Sequence, residues 1–585
     1  MIRSLAPLIA PLLATVWSHA LAAAPQSAQQ ASARPRRPNV VLSMADDMGY
    51  SDIGCYGSEV RTPNLDRLAA GGVRFSQFYN TSRCCPTRAA LLTGLYSHQA
   101  GIGLMTGDRG YDAYRGDLNR RCVTIAEALR PAGYRNYMAG KWHVTRHVAP
   151  SGPKHNWPLQ RGFDRFYGTV TGAGSFFDPT TLCRDNTYVT PENDAEYRPE
   201  RFYYTDAISD QAVRFVREHG DTHTDQPFFL YVAYTTAHWP MHALEDDIAK
   251  YDGAYDGGFE PIRAKRLQRA REMGLLEDSW PMSALPKPWS QTPNHEWEAR
   301  NMEVYAAMID RMDQGIGRIV AELERQGQLD DTVVFYLQDN GGCAEGMGRQ
   351  SNADKIRDKT YEPLGEDGLQ PKIWPPMQTR DGRAVRTGPP TPAGAEDTYI
   401  AYGRGWANVS NTPFRGYKHD AYEGGISTPF IVHWPTGLAA SRRGAIEHTP
   451  AHLIDVLPTV LAVARTPYPT RNGDQDVQPQ EGIDLLPAVR GGSVRRSAPL
   501  CFEHHGNLAL RDGRWKIVSA YRKSRPISWE LYDMEQDRTE STDLAAEQPE
   551  RVATMAAQWQ AWATRAGVQP WPFANKPKIP PKVRR

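Results

Sequence analysis

Asn39-Val40-Val41-Leu42-Ser43-Met44 is a short apolar run that stops at two adjacent carboxylates, Asp46 and Asp47. A run of this kind, apolar throughout rather than alternating, reads as a strand buried on both faces. The plan recurs twice: Phe228 to Tyr234 runs into Thr235-Thr236-Ala237-His238, and Val333 to Leu337 runs into Gln338-Asp339-Asn340. Helical patterns lie between. Thr62-Pro63 places proline at a first helical position, Thr124-Ile125-Ala126-Glu127 is a capping box, and Met302, Tyr305, Ile309, Met312, Ile316, Ile319 and Leu323 keep helical spacing. Strands alternating with helices predict a mostly parallel sheet covered on both faces, with its ligand beyond the carboxyl ends of the strands. Asp46, Asp47, His238, Asp339 and Asn340 all fall at such ends.

Two long stretches, 241–298 and 344–412, break the alternation, and loops of that length are usually functional. They are read as walls of a substrate pocket. From about residue 495 the character changes. Leu508 to Val518 reads as a hairpin with Asp512-Gly513 at its turn, Trp529 to Tyr532 as a further strand, and Pro549 to Ala563 as a helix. The expected organisation is a signal peptide at 1–22, a disordered leader at 23–37, a catalytic domain at 38–494, a C-terminal subdomain at 495–575 and a basic tail at 576–585.

The N-terminus carries Arg3, an apolar run from Leu5 to Trp17, and Ala20-Leu21-Ala22 as a small-x-small cleavage site, which points to a periplasmic or secreted protein. No later stretch approaches the ~20 apolar residues of a membrane span. Lys plus Arg number 68 against 67 Asp plus Glu in 585 residues, a net charge of +1. Cleavage after Ala22 removes only Arg3 and leaves 67 against 67. No global field recruits nucleic acid, so any anion must be recognised locally. Seven cysteines, Cys55, Cys84, Cys85, Cys122, Cys183, Cys343 and Cys501, are too few for a disulfide scaffold, although export permits a few bridges. An odd number in an exported chain asks for one cysteine with another task.

Ser82-Arg83-Cys84-Cys85-Pro86-Thr87-Arg88-Ala89-Ala90-Leu91-Leu92-Thr93-Gly94 supplies it. The segment resembles the sulfatase signature, whose core is Cys-x-Pro-Ser/Thr-Arg, and one frame fits: Cys84 at the modified position, with Pro86, Thr87 and Arg88 in register. A second family signature follows in Gly133 to His143, departing at Asn136, where Ser or Thr is usual. The two aspartate-containing pairs, His238, and Asn411 to Lys418 followed by Glu423-Gly424-Gly425 also match sulfatase positions, the last group most like bacterial arylsulfatases. The resemblance runs from about Asn39 to the Trp529–Tyr532 strand. It implies an alkaline-phosphatase-like α/β fold, a large mixed, mostly parallel sheet sandwiched by helices, plus a small C-terminal antiparallel sheet with one packed helix.

The resemblance further implies that a maturation enzyme oxidises Cys84 to formylglycine (3-oxoalanine). The hydrate of that aldehyde attacks sulfur and forms a covalent sulfo-enzyme, which breaks down to release an alcohol or phenol and sulfate. Asp46, Asp47, Asp339 and Asn340 are an all-oxygen set, which suits Ca2+ better than Mg2+ because Ca2+ tolerates irregular geometry; Cys84, once modified, completes that metal shell. Arg88 is expected to orient the hydrate, and Asp339 to help take its proton. Lys141 and Lys418 neutralise sulfate oxygens, His238 and Lys418 protonate the leaving group, and His143 takes the second proton. Each residue alone has an ordinary structural reading: an Asp pair capping a turn, a hydrogen-bonded histidine, a solvated lysine, a buried thiol. Their order and their strand-end placement argue for the joint reading.

Two rivals remain at this level. One is a phosphoester or phosphonate hydrolase of the same superfamily; the other is a non-catalytic sulfate- or carbohydrate-binding relative. Whether the ester is an aryl, alkyl or sugar sulfate is left open. His147, His242, Cys343 and Trp239 receive no role. Asn80-Thr81-Ser82 and Asn408-Val409-Ser410 fit the glycosylation sequon.

Overall fold

The computed structural model describes residues 36–375 and 377–573. The expected signal peptide, most of the leader and the basic tail lie outside these residues. β1 (Asn39–Ala45), β7 (Phe228–Ala233) and β8 (Thr332–Gln338) are the three strands anticipated above. They join β2 (Val73–Tyr79), β3 (Arg135–Gly140), β4 (Arg165–Thr169), β5 (Leu182–Arg184), β6 (Thr187–Tyr188), β9 (Ser427–His433), β10 (Ala445–Glu447) and β11 (Ala451–His452). Among the described residues these make one 11-stranded sheet in the order β10-β2-β9-β8-β1-β7-β3-β4-β5-β6, with β11 beside β2. The central run β8-β1-β7-β3-β4 is parallel, and β9 and β5 flank it antiparallel.

β1 lies at the middle of the parallel run, which is why it is apolar on both faces. Val41 and Ala45 face a core with the helices Tyr204–Thr222 and His295–Arg325. Val40, Leu42 and Met44 face the opposite core, with the helices Cys84–Thr93 and Val456–Ala464. The capping box forms as its residue types predict: Thr124 Oγ1 accepts from the Glu127 amide at 3.1 Å, and Glu127 accepts from the Thr124 amide at 2.7 Å.

After a two-stranded ribbon, β12 (Arg471–Asn472) and β13 (Gln475–Asp476), the chain forms a four-stranded antiparallel sheet of β14 (Leu500–His504), β15 (Asn507–Asp512), β16 (Trp515–Ser519) and β17 (Glu530–Asp533). The helix Pro549–Ala566 covers it. Asp512 pairs with Trp515, so the tight turn is Gly513-Arg514, one residue later than the sequence suggested; Gly513 takes the positive φ of 55°. The sheet does not stand apart. Leu508, Leu510, Ile517 and Leu531 belong to the same core as the Cys84–Thr93 helix.

The stretch 241–298, expected to be irregular, carries the 14-residue helix Phe259–Glu272. Its periodicity was hidden because the buried face includes Arg263 and Arg266 among Phe259, Ile262, Leu267 and Ala270. Arg266 is fully buried and bonds Asp52 and Glu59, each at 2.7 Å. All seven cysteines are buried and unbridged. Asn80 and Asn408 are buried, so neither sequon presents its amide to solvent. No helix among the described residues is long and apolar enough to cross a membrane.

Candidate active site

The carboxyl ends of four adjacent strands converge. β1 delivers Asp46 and Asp47, β8 delivers Asp339 and Asn340, β7 leads through a short turn to His238, and β3 delivers Lys141 and His143. Gly140 ends β3 at φ 112°, and the Lys141 amide donates to the Ala233 carbonyl at 2.8 Å. Cys84 enters from elsewhere, as the first residue of the helix Cys84–Thr93, with Arg83 extended before it at φ −154° and ψ 144°. Lys418 comes from the loop ahead of β9. Every catalytic or metal-binding residue predicted from the sequence is therefore in this one cluster, and all are buried, while the cleavage site at Ala22 lies outside the described residues.

Charges there are paired in a definite pattern. Arg88 Nη2 donates to Asp339 Oδ2 at 2.9 Å and lies 3.5 Å from Asp46, while Arg88 Nη1 donates to the Lys141 carbonyl at 3.0 Å. Lys141 bonds Asp46. Lys418 Nζ donates to Asp47 at 2.8 Å and lies 3.5 Å from His238 Nε2. Asn340 Nδ2 donates to Asp47 Oδ1 at 2.7 Å. The sulfur atoms of Cys84 and Cys85 and a His143 ring nitrogen all lie within 4.8 Å of one another.

These surroundings set protonation. Burial and the adjacent Asp339 push Asp46 up to about 7, against the pull of Lys141, His238 and Arg88. Burial raises Asp339. Burial also works against the charge of Asp47, but Lys418 outweighs it and holds that carboxyl below its usual range. Lys418 stays well above its ordinary value because Asp47 overcomes desolvation. Burial pushes His143 down to about 4 and lowers His238 as well, so both are neutral at physiological pH. His238 Nδ1 is 2.6 Å from the Trp239 carbonyl, which requires the proton on Nδ1 and leaves the Nε2 lone pair facing Lys418. The Cys84 thiol sits far below its ordinary value, through a hydrogen bond from Cys85 and the nearby Lys141 and His143.

Asp46 Oδ1 and Asn340 Oδ1 are buried without a hydrogen-bond partner in the protein, and both sit among the carboxylates of Asp47 and Asp339. Unpartnered buried oxygens beside carboxylates that raise one another's pKa fit a hard divalent ion. Asp47 and His143 also adopt the left-handed region, at φ 57° and 53°, a conformation that costs non-glycine residues about 1 kcal/mol or more and concentrates at functional sites.

The structure adds residues that sequence reasoning missed. Glu345 accepts from Arg83 at 2.8 Å and from the Trp239 indole at 2.9 Å, and lies 3.0 Å from His419 Nε2 and 3.5 Å from Lys418 Nζ. Burial opposes its charge, but Lys418, His419 and Arg83 hold the carboxyl far below its usual range. Their one signal in the sequence was adjacency, Arg83 to Cys84 and His419 to Lys418.

A sulfatase family model matches residues 38–466. An arylsulfatase of Klebsiella aerogenes is 32% identical over 488 residues, 81% of this chain and 95% of its own. An uncharacterised sulfatase of Schizosaccharomyces pombe is 31% identical over 569 residues, 92% of this chain and 95% of its own. The crystal structure of Ps i-CgsB in complex with k-i-k-neocarrahexaose shares the fold at a TM-score of 0.61 and 22% identity, covering 90% of this chain and 93% of that one. Over the residues that carry this cluster, the chain belongs to the sulfatase family, the sulfuric ester hydrolases.

Proposed function

We propose that this enzyme hydrolyses sulfate monoesters with a formylglycine made from Cys84 and one Ca2+ held by Asp46, Asp47, Asp339 and Asn340. The observation that carries the reading is Cys84 at the head of a buried helix, within reach of His143, in the same buried cluster of strand-end residues that holds two unpartnered metal-type oxygens. The oxidised side chain would supply a hydrated aldehyde as nucleophile, and the cation would polarise the sulfate.

The chain's own residues account for the rest. A sulfate monoester brings negative charge among these buried side chains, where Lys141 and Lys418 are placed to neutralise it. Arg88, bonded to Asp339, Asp46 and the Lys141 backbone, locks these groups in one arrangement and orients the nucleophile, whose proton Asp339 helps to remove. Lys418 carries the proton for the departing oxygen, with the His238 Nε2 lone pair 3.5 Å away to relay it. Neutral His143, at the thiol end of the pocket, accepts the proton that returns the aldehyde.

The substrate end is a sulfate ester small molecule or carbohydrate; the polar mouth formed by Arg83, Glu345 and His419 supports a polar leaving group. The N-terminal signal pattern supports export to the periplasm or beyond, with a formylglycine-generating enzyme as maturation partner.

Mass spectrometry of the Cys84 peptide from the native host is expected to show the aldehyde. Matched nitrophenyl sulfate and phosphate are expected to be turned over with a clear sulfate preference, and Cys84→Ser is expected to lower kcat on the order of 1,000-fold or more with the fold intact. A phosphate preference, or an unmodified thiol in inactive protein, overturns the reading in favour of the phosphoesterase or the binding relative respectively.

A further inference from the structure

Away from the strand-end cluster, two loops meet around a second group of ligand-type side chains. Asp117 lies in the loop that joins the short helix Ser97–Ala100 to the capping box at Thr124. His147 and His155 lie in the loop that follows Lys141-Trp142-His143. We propose that Asp117, His147 and His155 form a binding site for a first-row divalent cation of the zinc type, separate from the sulfate end of the active site.

Geometry carries the assignment. One oxygen of Asp117 and one ring nitrogen of each histidine all lie within 4.8 Å of one another. His155 Nε2 is 2.9 Å and His147 Nε2 3.7 Å from the same Asp117 Oδ2. Ligands about 2.0–2.2 Å from a tetrahedral ion sit about 3.4 Å apart, so the three atoms bracket a point that an ion can occupy with sub-ångström adjustment. The imidazoles meet at 62° with centroids 4.9 Å apart, and so converge rather than stack. Two imidazoles and one carboxylate form a donor set of borderline softness, which favours zinc-type ions over Ca2+ or Mg2+.

A second observation is independent of the cluster's hydrogen bonds. Asp117 is buried, at 8% exposure; His155 and His147 face its Oδ2, while its Oδ1 has no hydrogen-bond partner in the protein. A buried carboxylate oxygen without a partner is costly, and a cation held by both oxygens of Asp117 would answer that cost.

The one cation already present is compatible with this arrangement. Arg146 Nε donates to His147 Nε2 at 3.3 Å, so that nitrogen already presents a lone pair, as a metal ligand must. Arg146 is partly exposed and also bonds Asp108, and can release His147 while keeping that partner. On metal binding the His155 Nε2 proton is displaced to Nδ1, since a metal ligand nitrogen carries no proton.

The site would act as a clamp. The loop after His143 is held on the protein by the Trp142 indole donating to the Asn156 carbonyl and the Trp157 indole donating to the His147 carbonyl, each at 2.7 Å. Asn156 also donates to the Leu118 carbonyl at 2.7 Å, next to Asp117. An ion on Asp117, His147 and His155 would close the same contact from its solvent side, tying the segment that leaves the catalytic Lys141–His143 stretch to the neighbouring loop.

The test uses Zn2+ alone as probe, titrated calorimetrically into full-length protein kept in Ca2+ after treatment with a chelator that prefers zinc to calcium. The expected result is one equivalent of saturable binding and a higher thermal unfolding midpoint. His155 is 42% exposed, so His155→Gln is expected to fold normally. Both His155→Gln and Asp117→Asn are expected to weaken binding by at least the ~10–100-fold that loss of a mere supporting partner costs. Absence of saturable binding in the unsubstituted protein overturns the proposal. So does binding unchanged in both variants, which would put the ion elsewhere, for example on the stacked rings of His419, His504 and His505.

Discussion

A methyl group added at Gly172 would lie 2.0 Å from Cε1 of His143, a distance no carbon pair tolerates. The histidine ring fills that space and is positioned by it. Gly172→Ala is therefore expected to leave the fold intact, because its neighbour is a side chain rather than backbone, while displacing His143. A shift of about 1 Å in a proton-transferring group costs about 100-fold in rate, so kcat should fall by that order with little change in KM or in the unfolding midpoint. An unchanged kcat would show that His143 moves no proton in turnover. At this scale much of the site was legible: Cys84, Arg88, Lys141 and His143 sit in short ordered patterns, and the pattern names the residue. Glu345 was not legible, because its meaning lies in two cations and a histidine drawn from residues 83, 418 and 419.

Strand ends place these groups, and Gly140 shows how closely. It stands at φ 112°, where a side chain is strained, and a Cβ there would sit 2.0 Å from the Ala233 carbonyl of the adjoining β7. Gly168 on β4 is pressed against Gly140 from the other side, its own Cβ position 1.9 Å from the Gly140 carbonyl. Gly140→Ala is expected to destabilise the protein by about 3 kcal/mol or more, from combined strain and overlap, and to move Lys141 with it. Urea unfolding measures the first effect, and a loss of kcat in the fraction that remains folded measures the second. Elements differ in how openly the sequence declares them. β1, β7 and β8 are apolar on both faces and announce themselves, whereas the helix Phe259–Glu272 turns Arg263 and Arg266 inward to buried partners, so its apolar period is broken where it packs.

At the scale of the molecule, the C-terminal sheet is joined to the large one by a buried ionic network. Lys516 on β16 bonds Glu423 at 2.8 Å and Glu540 at 2.7 Å, and Arg538 bonds Glu423 at 2.8 Å, all four side chains fully buried. Lys516→Met would take from the ionised, buried Glu423 one of its two cations, and stability is expected to fall by about 3–5 kcal/mol in denaturant unfolding. Burial pushes Glu540 up to about 7, with Lys516 opposing. Folded Glu540 thus keeps its proton from about pH 4.5, where the unfolded chain releases it, to about 7. Over that window the folded state binds more protons, so this group's contribution to stability is complete below about 4.5 and is lost as pH rises to 7. Glu540→Gln should flatten that decline; an unchanged slope between pH 5 and 7 would place its origin in another group.

The sequence by itself determined what is local: which runs are strands, that polar residues follow them, that Thr124 caps a helix, and that the segment from Cys84 resembles a sulfatase signature. These follow from side-chain periodicity and short motifs, which depend on neighbours within a few residues. Only the tertiary structure decided which charges meet. Asp47 and Lys418 are 371 positions apart, and Asp47 and Asn340 are 293 apart. They touch because β1 enters the sheet between β7 and β8, strands that follow it by almost 200 and almost 300 residues. Closing such long loops costs little more than closing short ones, so spacing along the chain holds almost no record of the contact. The same reason hid the meeting of Asp117 with His147 and His155, which two loops bring together and no spacing motif marks.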